Sequence, residues 1–148
     1  MSVLLTHKKI RLDYEILETF EVGIELSGPE VKALRQKQGE LDGSFVTVRG
    51  GEAFLLKTTI PPYQPNNITT SYDPIRNRKL LLTKKEIAKL GSIERQRGLT
   101  IIPSRFFEKG RKIKLEIAVV RGKKKYDKRE TMKKEQAKRD VDRSLKGR

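Results

Sequence analysis

The chain has 148 residues, of which 34 are Lys or Arg and 19 are Asp or Glu, so its formal net charge is +15. This length predicts one domain with an appendage. The absence of Cys excludes a disulfide framework and a thiolate metal site. No apolar run approaches the roughly 20 residues that span a bilayer, and the N-terminus lacks the pattern of a secretory signal. We therefore expect a cytoplasmic protein that does not enter a membrane.

The positive charge is concentrated in the second half of the chain. Residues 1–75 have a net charge of −2, whereas residues 76–148 have a net charge of +17. Such an asymmetry attracts a polyanion, either nucleic acid or an anionic membrane. A membrane-binding helix needs several large apolar side chains opposite its basic face, and the C-terminal segment has few of them. Composition therefore favours nucleic acid as the partner.

The N-terminal third predicts one long strand and one short helix. Residues 14–26 are rich in β-branched and aromatic side chains, and Gly23 within them indicates a bulge or bend. The sequence Ser27-Gly28-Pro29 is typical of a helix start, because proline is pre-set for the first helical position. We expect this helix to end at Gly39.

The middle of the chain predicts a hairpin, a loop and a second helix. Residues 44–49 and 52–57 are strand-like runs separated by Gly50-Gly51, a strong hairpin signal. A proline-rich loop follows over residues 61–74. Thr83 and Glu86 then form the pattern of a capping box, which predicts a helix over residues 84–97.

Two further strands complete the predicted fold. Residues 99–107 form one, restricted by Pro103 to an edge or a bulge, and residues 112–119 alternate between apolar and polar side chains. Antiparallel strands in meander order with interleaved helices predict a mainly β protein. We expect a small closed OB-like barrel over residues 1–121, with two or three peripheral helices.

The C-terminal tail, residues 122–148, has a different character. It is highly basic and poor in apolar residues, so it should be largely disordered when free. It nevertheless contains acid-before-base pairs at i, i+4, the spacing that supports a helix: Glu130 with Lys134, Glu135 with Arg139, and Asp142 with Lys146. We predict a tail that becomes helical on binding RNA; a solvated tail that only aids solubility is the simpler alternative.

Catalysis has little support in the sequence. His7 is the only histidine, and no phosphate-binding or dinucleotide-binding motif is present. The carboxylates of Glu15, Glu18, Glu21 and Glu25 could hold a hard cation, but clusters of this kind are usually solvated or paired with Lys and Arg. We predict a protein with no metal, no cofactor and no enzymatic activity.

Basic clusters flank the predicted strand ends, with tyrosines beside two of them. The clusters are Lys8, Lys9, Arg11; Arg76, Arg78, Lys79; and Lys123, Lys124, Lys125. Aromatic faces beside cations are typical of sites that stack unpaired bases while holding phosphates. Tyr14 fits either such stacking or a place in the core, whereas Tyr126 lies in the tail, where stacking is favoured.

Six short motifs occur in the order found in the SsrA-binding protein (SmpB) family. The sequence resembles this family in residues 8–14, 20–24, 30–35, 51–55, 78–82 and 121–129. The resemblance implies an OB-like barrel with a basic tail that binds the tRNA-like domain of tmRNA and accompanies it to stalled ribosomes. It also implies that the tail enters the vacant decoding site and message channel. The implied partners are tmRNA, small-subunit ribosomal RNA and, through the shared RNA, elongation factor Tu, with the protein as a monomer.

The resemblance and the basic clusters together give a set of candidate binding residues. Thr83 stands where the family usually has Asn, and Leu12 where it often has His. The predicted tmRNA-binding residues are Lys8, Lys9, Arg11, Tyr14, Glu21, Arg35, Arg78, Lys79, Leu81, Thr83, Lys114, Gly122, Lys123 and Lys124. The predicted ribosome-binding residues of the tail are Tyr126, Asp127, Lys128, Arg129, Lys133, Lys134, Lys138 and Arg139.

Two alternatives belong to other classes of protein. A structural ribosomal protein, or another RNA-binding protein of translation, would also combine a small barrel with a basic tail. An enzyme that modifies or cleaves RNA would use the carboxylates between Glu15 and Glu25. Binding to the isolated tRNA-like domain distinguishes the first alternative, and metal-dependent turnover of RNA would support the second.

Overall fold

The structure is a computed structural model that describes residues 2–63, 72–123, 129 and 132–140. The strands in these residues are β1 (Ser2–Thr6), β2 (Tyr14–Ile24), β3 (Phe45–Arg49), β4 (Glu52–Leu56), β5 (Arg78–Leu81), β6 (Leu99–Lys109) and β7 (Lys112–Gly122). The helices that connect them are α1 (Ile10–Asp13), α2 (Gly28–Arg35) and α3 (Lys84–Glu94). The predicted loop over residues 61–74 lies partly outside the described residues.

All strands pair antiparallel in one sheet of order β1-β6-β7-β2-β5-β4-β3. The predicted hairpin is confirmed, since Arg49 pairs with Glu52 and both turn glycines have positive φ, 59° at Gly50 and 74° at Gly51. Strand β2 is long enough to pair with β7 along most of its length and with β5 at its C-terminal end. The mainly β antiparallel fold is therefore as predicted, but the predicted meander order is wrong, since among the described strands only the pairs β3–β4, β4–β5 and β6–β7 join consecutive strands.

The expectation of a closed barrel is wrong, because the end strands β1 and β3 do not pair. The N-terminal strand β1, which the sequence analysis missed, occupies the edge of β6 from Arg105 to Glu108. Helix α3 covers the edge of β3 instead of another strand. The carboxylate of Glu94 accepts hydrogen bonds from the backbone N–H of Val48 (2.9 Å) and from the hydroxyl of Thr47 (2.7 Å). The edge is thus protected without closure.

The irregularity in β2 also differs from the prediction. Its register shifts between Ile16 and Glu18, so the bulge is at Leu17, whereas Gly23 pairs regularly on both sides. A Cβ at Gly23 would lie 3.1 Å from the Cβ of Leu81, so the glycine permits a close approach of β5. The bulge expected near Pro103 is confirmed, because β6 shifts register between Pro103 and Arg105.

Apolar side chains form two clusters on opposite faces of the sheet. The main core contains the inward residues of the strands and residues of two helices, including Ala33 and Leu34 of α2 and Leu90 and Ile93 of α3. The second cluster is on the other face of β6 and β7, where α1 contributes Ile10 against Ile102, Ala118 and Val120. Helix α1, too short to give a helical pattern in the sequence, therefore covers apolar surface next to the basic segment 8–11.

Both longer helices begin with a capping box. In α3 the predicted box is confirmed: the Thr83 hydroxyl accepts from the backbone N–H of Glu86, whose carboxylate accepts from the N–H of Thr83. Ser27 and Glu30 form a second box at the start of α2. The helices end at Arg35 and Glu94, a few residues before the predicted ends. In the described part of the chain, no helix has the length and apolar character to cross a membrane.

Candidate nucleic-acid interface

One group of predicted binding residues shares the outer face of β5, β2 and β7. Gly23 pairs with Leu81 on one side and with Lys114 on the other, which brings these two side chains to either side of β2. Glu21 and Lys79 lie two residues along their strands and point to the same face. The opposite face of these strands is the core, which contains Val22, Ile24, Leu80 and Leu115. The fold thus assembles four predicted residues on one accessible surface, the outer-face site.

The outer-face site combines apolar and charged contacts. Leu81 is 51% exposed, which is unusual for a leucine on a short strand between two others. The Glu21 carboxylate lies 3.3 Å from Nζ of Lys109, and Nζ of Lys79 lies 3.1 Å from the Glu52 carboxylate. These ion pairs are exposed and weak, so an RNA ligand can replace them.

Two further predicted residues border the outer-face site. Thr83 follows β5 and is occupied as the cap of α3, where its hydrogen bonds hold the pKa of the Glu86 carboxyl below its ordinary value. Arg35, at the end of α2, donates to the Glu108 carboxylate (2.9 Å) and to the Arg111 carbonyl (3.4 Å) at the β6–β7 turn. Arg35 therefore joins the helix to the same end of the sheet.

A second group lies at the opposite end of β2, where Tyr14 pairs with Gly122. The exposed side chains of Lys8, Lys9 and Arg11 are in the segment just before Tyr14. Nζ of Lys123 donates to the Arg11 carbonyl at 2.6 Å. The start of the tail is thereby fixed beside the first basic cluster, and we name this region the tail-exit site.

Tyr14 and His7 pack together at the tail-exit site. Tyr14 is half-buried against the second apolar cluster, and its ring meets that of His7 edge-on with centroids 6.4 Å apart. The His7 side chain is buried and its Nε2 lies 3.3 Å from the Asp42 carboxylate. The only histidine of the chain therefore connects two segments of the fold, and Tyr14 combines a packing role with a partly exposed face.

Arg78 is a correction to the predicted binding set. Its side chain is 0% exposed, and its Nε donates to the Glu30 carboxylate at 2.6 Å. The rest of the guanidinium donates to backbone carbonyls at 2.7–3.1 Å, those of Thr58, Arg76 and Pro74. All of these contacts are inside the protein, and with no exposed surface the Arg78 guanidinium cannot meet RNA in this fold.

Glu30 is the centre of the buried network around Arg78. Burial alone would raise the pKa of the Glu30 carboxyl, but this is outweighed by the hydrogen bond from Arg76, the backbone hydrogen bond from Ser27 and the charge of Arg78. The net result is a pKa below the ordinary value, and the carboxylate stays charged. Glu30 is not among the predicted site residues, since its arginine partners are 46 and 48 residues away and no local pattern connects them.

The acidic residues of β2 are engaged in ion pairs. Glu15 lies 3.8 Å from Arg121, Glu18 lies 2.9 Å from Lys89, and Glu21 has Lys109 as described above. Within residues 2–63, 72–123, 129 and 132–140, no three carboxylates or histidines are grouped as a metal site requires. Glu15, Glu18 and Glu21 are therefore paired with Lys or Arg, as is usual for surface carboxylates.

The tail is described only in part. Arg129 and residues 132–140 are helical, and the side chains of this tail helix are exposed, including Lys133, Lys134, Lys138 and Arg139. The predicted Glu135–Arg139 pair is present at 3.9 Å. Lys124, Tyr126, Asp127 and Lys128 lie outside the described residues, as do the acidic partners Glu130 and Asp142 of the other two predicted pairs.

An antiparallel sheet with a strongly basic surface and exposed outward-facing side chains defines a small nucleic-acid-binding protein of the β class. Comparison with known proteins specifies the family. The family model described as "SmpB protein" matches residues 4–147. The chain therefore belongs to the SmpB family.

Individual relatives are similar in sequence to this chain over almost its full length. The chain is 49% identical over 147 residues to the "SsrA-binding protein" of Thermosipho africanus (strain TCF52B), covering 99% of this chain and 98% of the relative. It is 43% identical over 148 residues to that of Chloroflexus aggregans (strain MD-66 / DSM 9485), covering 100% and 94%. A chain of the solved structure "tmRNA-SmpB: a journey to the center of the bacterial ribosome" superimposes with a TM-score of 0.71 and 38% identity, covering 89% of this chain and 95% of that one.

Proposed function

We propose that this protein binds tmRNA, the SsrA RNA, and delivers it to stalled ribosomes for trans-translation. The observation that carries this function is the match of the SmpB family model to residues 4–147, supported by full-length relatives that are SsrA-binding proteins. The solved tmRNA–SmpB structure resembles the chain over 89% of its length. The protein acts by binding RNA and is not an enzyme.

The outer-face site is the proposed contact with the tRNA-like domain. Its side chains project from three adjacent strands, so their spacing is set by the sheet before RNA arrives, which lowers the entropy lost on binding. Leu81 offers an apolar contact, Lys114 a charge for phosphate, and Glu21 a hydrogen-bond acceptor. Arg35, Lys79 and Thr83 complete the proposed set, and Arg78 is left out of it because it is buried.

The tail-exit site and the tail form a separate proposed contact. Strand β2 has 11 residues, so its ends are about 30 Å apart. The residues at one end that would bind tmRNA are Lys8, Lys9, Arg11, Tyr14, Gly122 and Lys123. Lys124, outside the described residues, belongs to the same proposed set. The tail, residues 122–148, would leave from that end to reach small-subunit ribosomal RNA, with residues 1–121 as the RNA-binding domain.

The tail is the proposed ribosomal element. The exposed side chains of the tail helix and the high charge of the segment support a structure that is disordered when free and helical when bound. Inside the vacant decoding site and message channel, Tyr126 would stack on a base. The polar and basic side chains that follow, Asp127, Lys128, Arg129, Lys133, Lys134, Lys138 and Arg139, would bind phosphates and bases.

Three further properties belong to the proposal. Elongation factor Tu would join the complex through the shared RNA, the protein would act in the cytoplasm, and it would be a monomer. The monomer is supported by the apolar surface, because the exposed large apolar side chains of the described residues are spread along the chain: Val3 in β1, Leu17 in β2, Leu81 in β5, Tyr63 and Ile75 between β4 and β5, and Met132 in the tail helix.

The first test is binding of the purified protein to the tRNA-like domain of tmRNA and to an ordinary tRNA of similar length across a salt series. Non-specific attraction falls with salt by a log–log slope of about −0.9 per phosphate contact on duplex, for both RNAs alike. A preference for the tmRNA domain that persists at raised salt supports the proposal. Equal affinities that fall together would contradict it and favour a structural ribosomal protein.

A further inference from the structure

The outer face of the β3–β4 hairpin presents two phenylalanines that the proposed tmRNA contacts do not use. In the hairpin register Phe45 pairs with Leu56 and Thr47 pairs with Phe54, and directly paired residues point to the same face of a sheet. The alternate positions, Val46, Val48, Ala53 and Leu55, belong to the main core. Both aromatic rings are therefore on the outer face, where they are half-buried.

The two rings line one shallow depression. It has a volume of about 360 Å³, and its walls are Phe45, Thr47, Arg49, Phe54, Leu56 and Asn77. The Thr47 side chain is fixed by a hydrogen bond, because its hydroxyl donates to the Glu94 carboxylate of α3 at 2.7 Å. The floor is apolar and the rim carries the amide of Asn77, a group that can donate to and accept from a base edge.

Cations surround this depression. Nζ of Lys57 lies 5.7 Å from the centroid of the Phe45 ring, in cation–π geometry. Arg49 stands at the other end with 73% of its side chain exposed, and Lys79 pairs with Phe54 in the ladder between β4 and β5. Arg49 and Lys79 have the carboxylates of Glu94 and Glu52 as partners. For Lys57, no carboxylate lies within ion-pair distance in the described part of the chain.

The backbone at Lys57 is held in a conformation that favours glycine. Its φ is 63°, which costs a side-chain-bearing residue about 1 kcal/mol or more. The surrounding fold fixes this conformation: the Ser44 hydroxyl donates to the Lys57 carbonyl at 3.3 Å, and Arg78 donates to the next carbonyl, that of Thr58, at 2.7 Å. The Lys57 ammonium is thereby held over the half-buried Phe45 ring, which also packs against the second apolar cluster.

We propose that the outer face of the β3–β4 hairpin binds unpaired nucleotides of RNA. One base stacks on Phe54, with Phe45 forming the apolar wall beside it, while Lys57, Arg49 and Lys79 hold the flanking phosphates. An aromatic side chain with flanking cations on an OB-like sheet is the combination with which proteins bind single-stranded nucleic acid. This site is distinct from the outer-face site, with which it shares only Lys79, and it needs no tRNA-like fold in the ligand.

The test compares two single-stranded ligands that differ only in their bases. Fluorescence anisotropy of the full-length protein is measured with a labelled oligouridylate of about ten nucleotides and with an abasic strand of the same length. The basic tail attracts both strands through their phosphates, so the ratio of the two affinities isolates stacking. We expect the wild-type protein to prefer the strand with bases about 5- to 100-fold.

Matched variants locate the preference. Phe54→Leu keeps an apolar residue but removes the stacking face, and it should lower the preference several-fold. Phe20→Leu is the control, because Phe20 is another half-buried ring with a lysine over it, Lys89 at 4.8 Å, on β2 instead of the hairpin. Lys57→Gln should lower the affinity for both oligonucleotides. The loss should be larger than that caused by Lys112→Gln, which removes an exposed charge at the β6–β7 turn.

A second measurement does not depend on a variant that folds. A 4-thiouridine oligonucleotide is photo-crosslinked to the wild-type protein, and we expect crosslinked peptides from residues 45–57. Equal wild-type affinity for the two strands, a preference unchanged in a folded Phe54→Leu protein, or crosslinks confined to residues 122–148 would each overturn the proposal. Binding to the tRNA-like domain is measured separately, so failure here leaves the proposed tmRNA function untouched.

Discussion

Two arginines of this chain, Arg78 in β5 and Arg139 in the tail helix, have opposite surroundings. The Arg78 side chain is 0% exposed, and its Nε donates to Glu30 at 2.6 Å, whereas Arg139 is 65% exposed and lies 3.9 Å from Glu135. The first guanidinium is an internal connector between α2, β5 and the chain near Thr58. The second is available to a polyanion. Formal charge alone therefore does not identify candidate RNA-binding residues; burial separates cations used inside the fold from those open to a ligand.

Removing the tail should give the largest functional effect. A protein truncated after Gly122 retains the apolar clusters of the sheet and the outer-face site. We expect it to keep most of its affinity for the tRNA-like domain and its melting temperature, yet to lose peptide tagging on stalled ribosomes. A reconstituted tagging assay and a binding titration measure the two properties. If the truncated protein lost most of its affinity for tmRNA, the separation of sheet and tail functions would be wrong.

Breaking the buried network should give the largest effect on stability. Glu30→Ala leaves the guanidinium of Arg78 buried without its carboxylate, which should lower the free energy of unfolding by about 3–5 kcal/mol. Urea denaturation gives this value. Glu18→Ala is the matched control, since it removes an exposed pair with Lys89 at 2.9 Å, and it should cost about 1 kcal/mol or less. Similar losses in the two variants would mean that the Arg78 network is no more important than a surface pair.

The same network predicts a pH dependence. The pKa of Glu30 is lower in the folded protein than its ordinary value of 4.5, so unfolding takes up a proton at pH values between the folded-state pKa and about 4.5. Its stabilisation is therefore present above about pH 4.5 and is lost as the pH falls through the folded-state pKa. Thermal unfolding of wild type and Glu30→Gln between pH 7 and pH 3 measures it. The difference in melting temperature should shrink towards low pH, and a constant difference would exclude this linkage.

A substitution on the outer-face site should affect binding and leave stability nearly unchanged. Glu21→Ala removes an exposed hydrogen-bond acceptor, and we expect affinity for the tRNA-like domain to fall roughly ten- to hundredfold. The Lys109 pair that is lost contributes at most about 1 kcal/mol. Binding titrations and melting curves, with Glu18→Ala as the control, separate the two effects. A large fall in melting temperature would assign Glu21 a structural role.

The smallest expected effect concerns the tail helix. Glu135→Gln removes the i, i+4 pair with Arg139, which should reduce helix stability by about 0.2–0.5 kcal/mol. Circular dichroism of the full-length protein at low and high salt would show a small loss of helical signal, with the difference from wild type vanishing as salt screens the pair. A large change would indicate that Glu135 contacts more than its own helix.

The predictions that rest on a helix cap, a hairpin turn and strand alternation agree with the structure. The capping box at Thr83, the hairpin at Gly50-Gly51 and the alternation in β7 are each encoded within a few residues, because caps, turns and strand periodicity depend on neighbouring backbone groups. The paired carboxylate and arginine at positions 135 and 139 are one helical turn apart and were predicted for the same reason. Site residues such as Leu81 were predicted from the resemblance to a family and not from a local pattern. The strand pairing in the structure explains why they share a face.

The features that sequence analysis missed depend on distant partners. Strand β1 forms by pairing with β6 about 100 residues later, and α1 is a single turn that packs on a surface made by β6 and β7. Gly23 suggested a bulge, but its role is set by β5, which approaches it from another part of the chain.

The sequence by itself determined the class of this protein, a basic mainly β protein with two helices, one of them with a capping box, a hairpin and a tail too polar to form a core. Composition and periodicity are properties of the sequence, and they do not depend on contacts between distant segments. Only the tertiary structure decided that the sheet stays open and that Arg78 lies inside it. It also decided that Phe45 and Phe54 share an outer face with Lys57. Each of these depends on which segments meet in three dimensions, and free energies of burial and pairing between distant residues determine that.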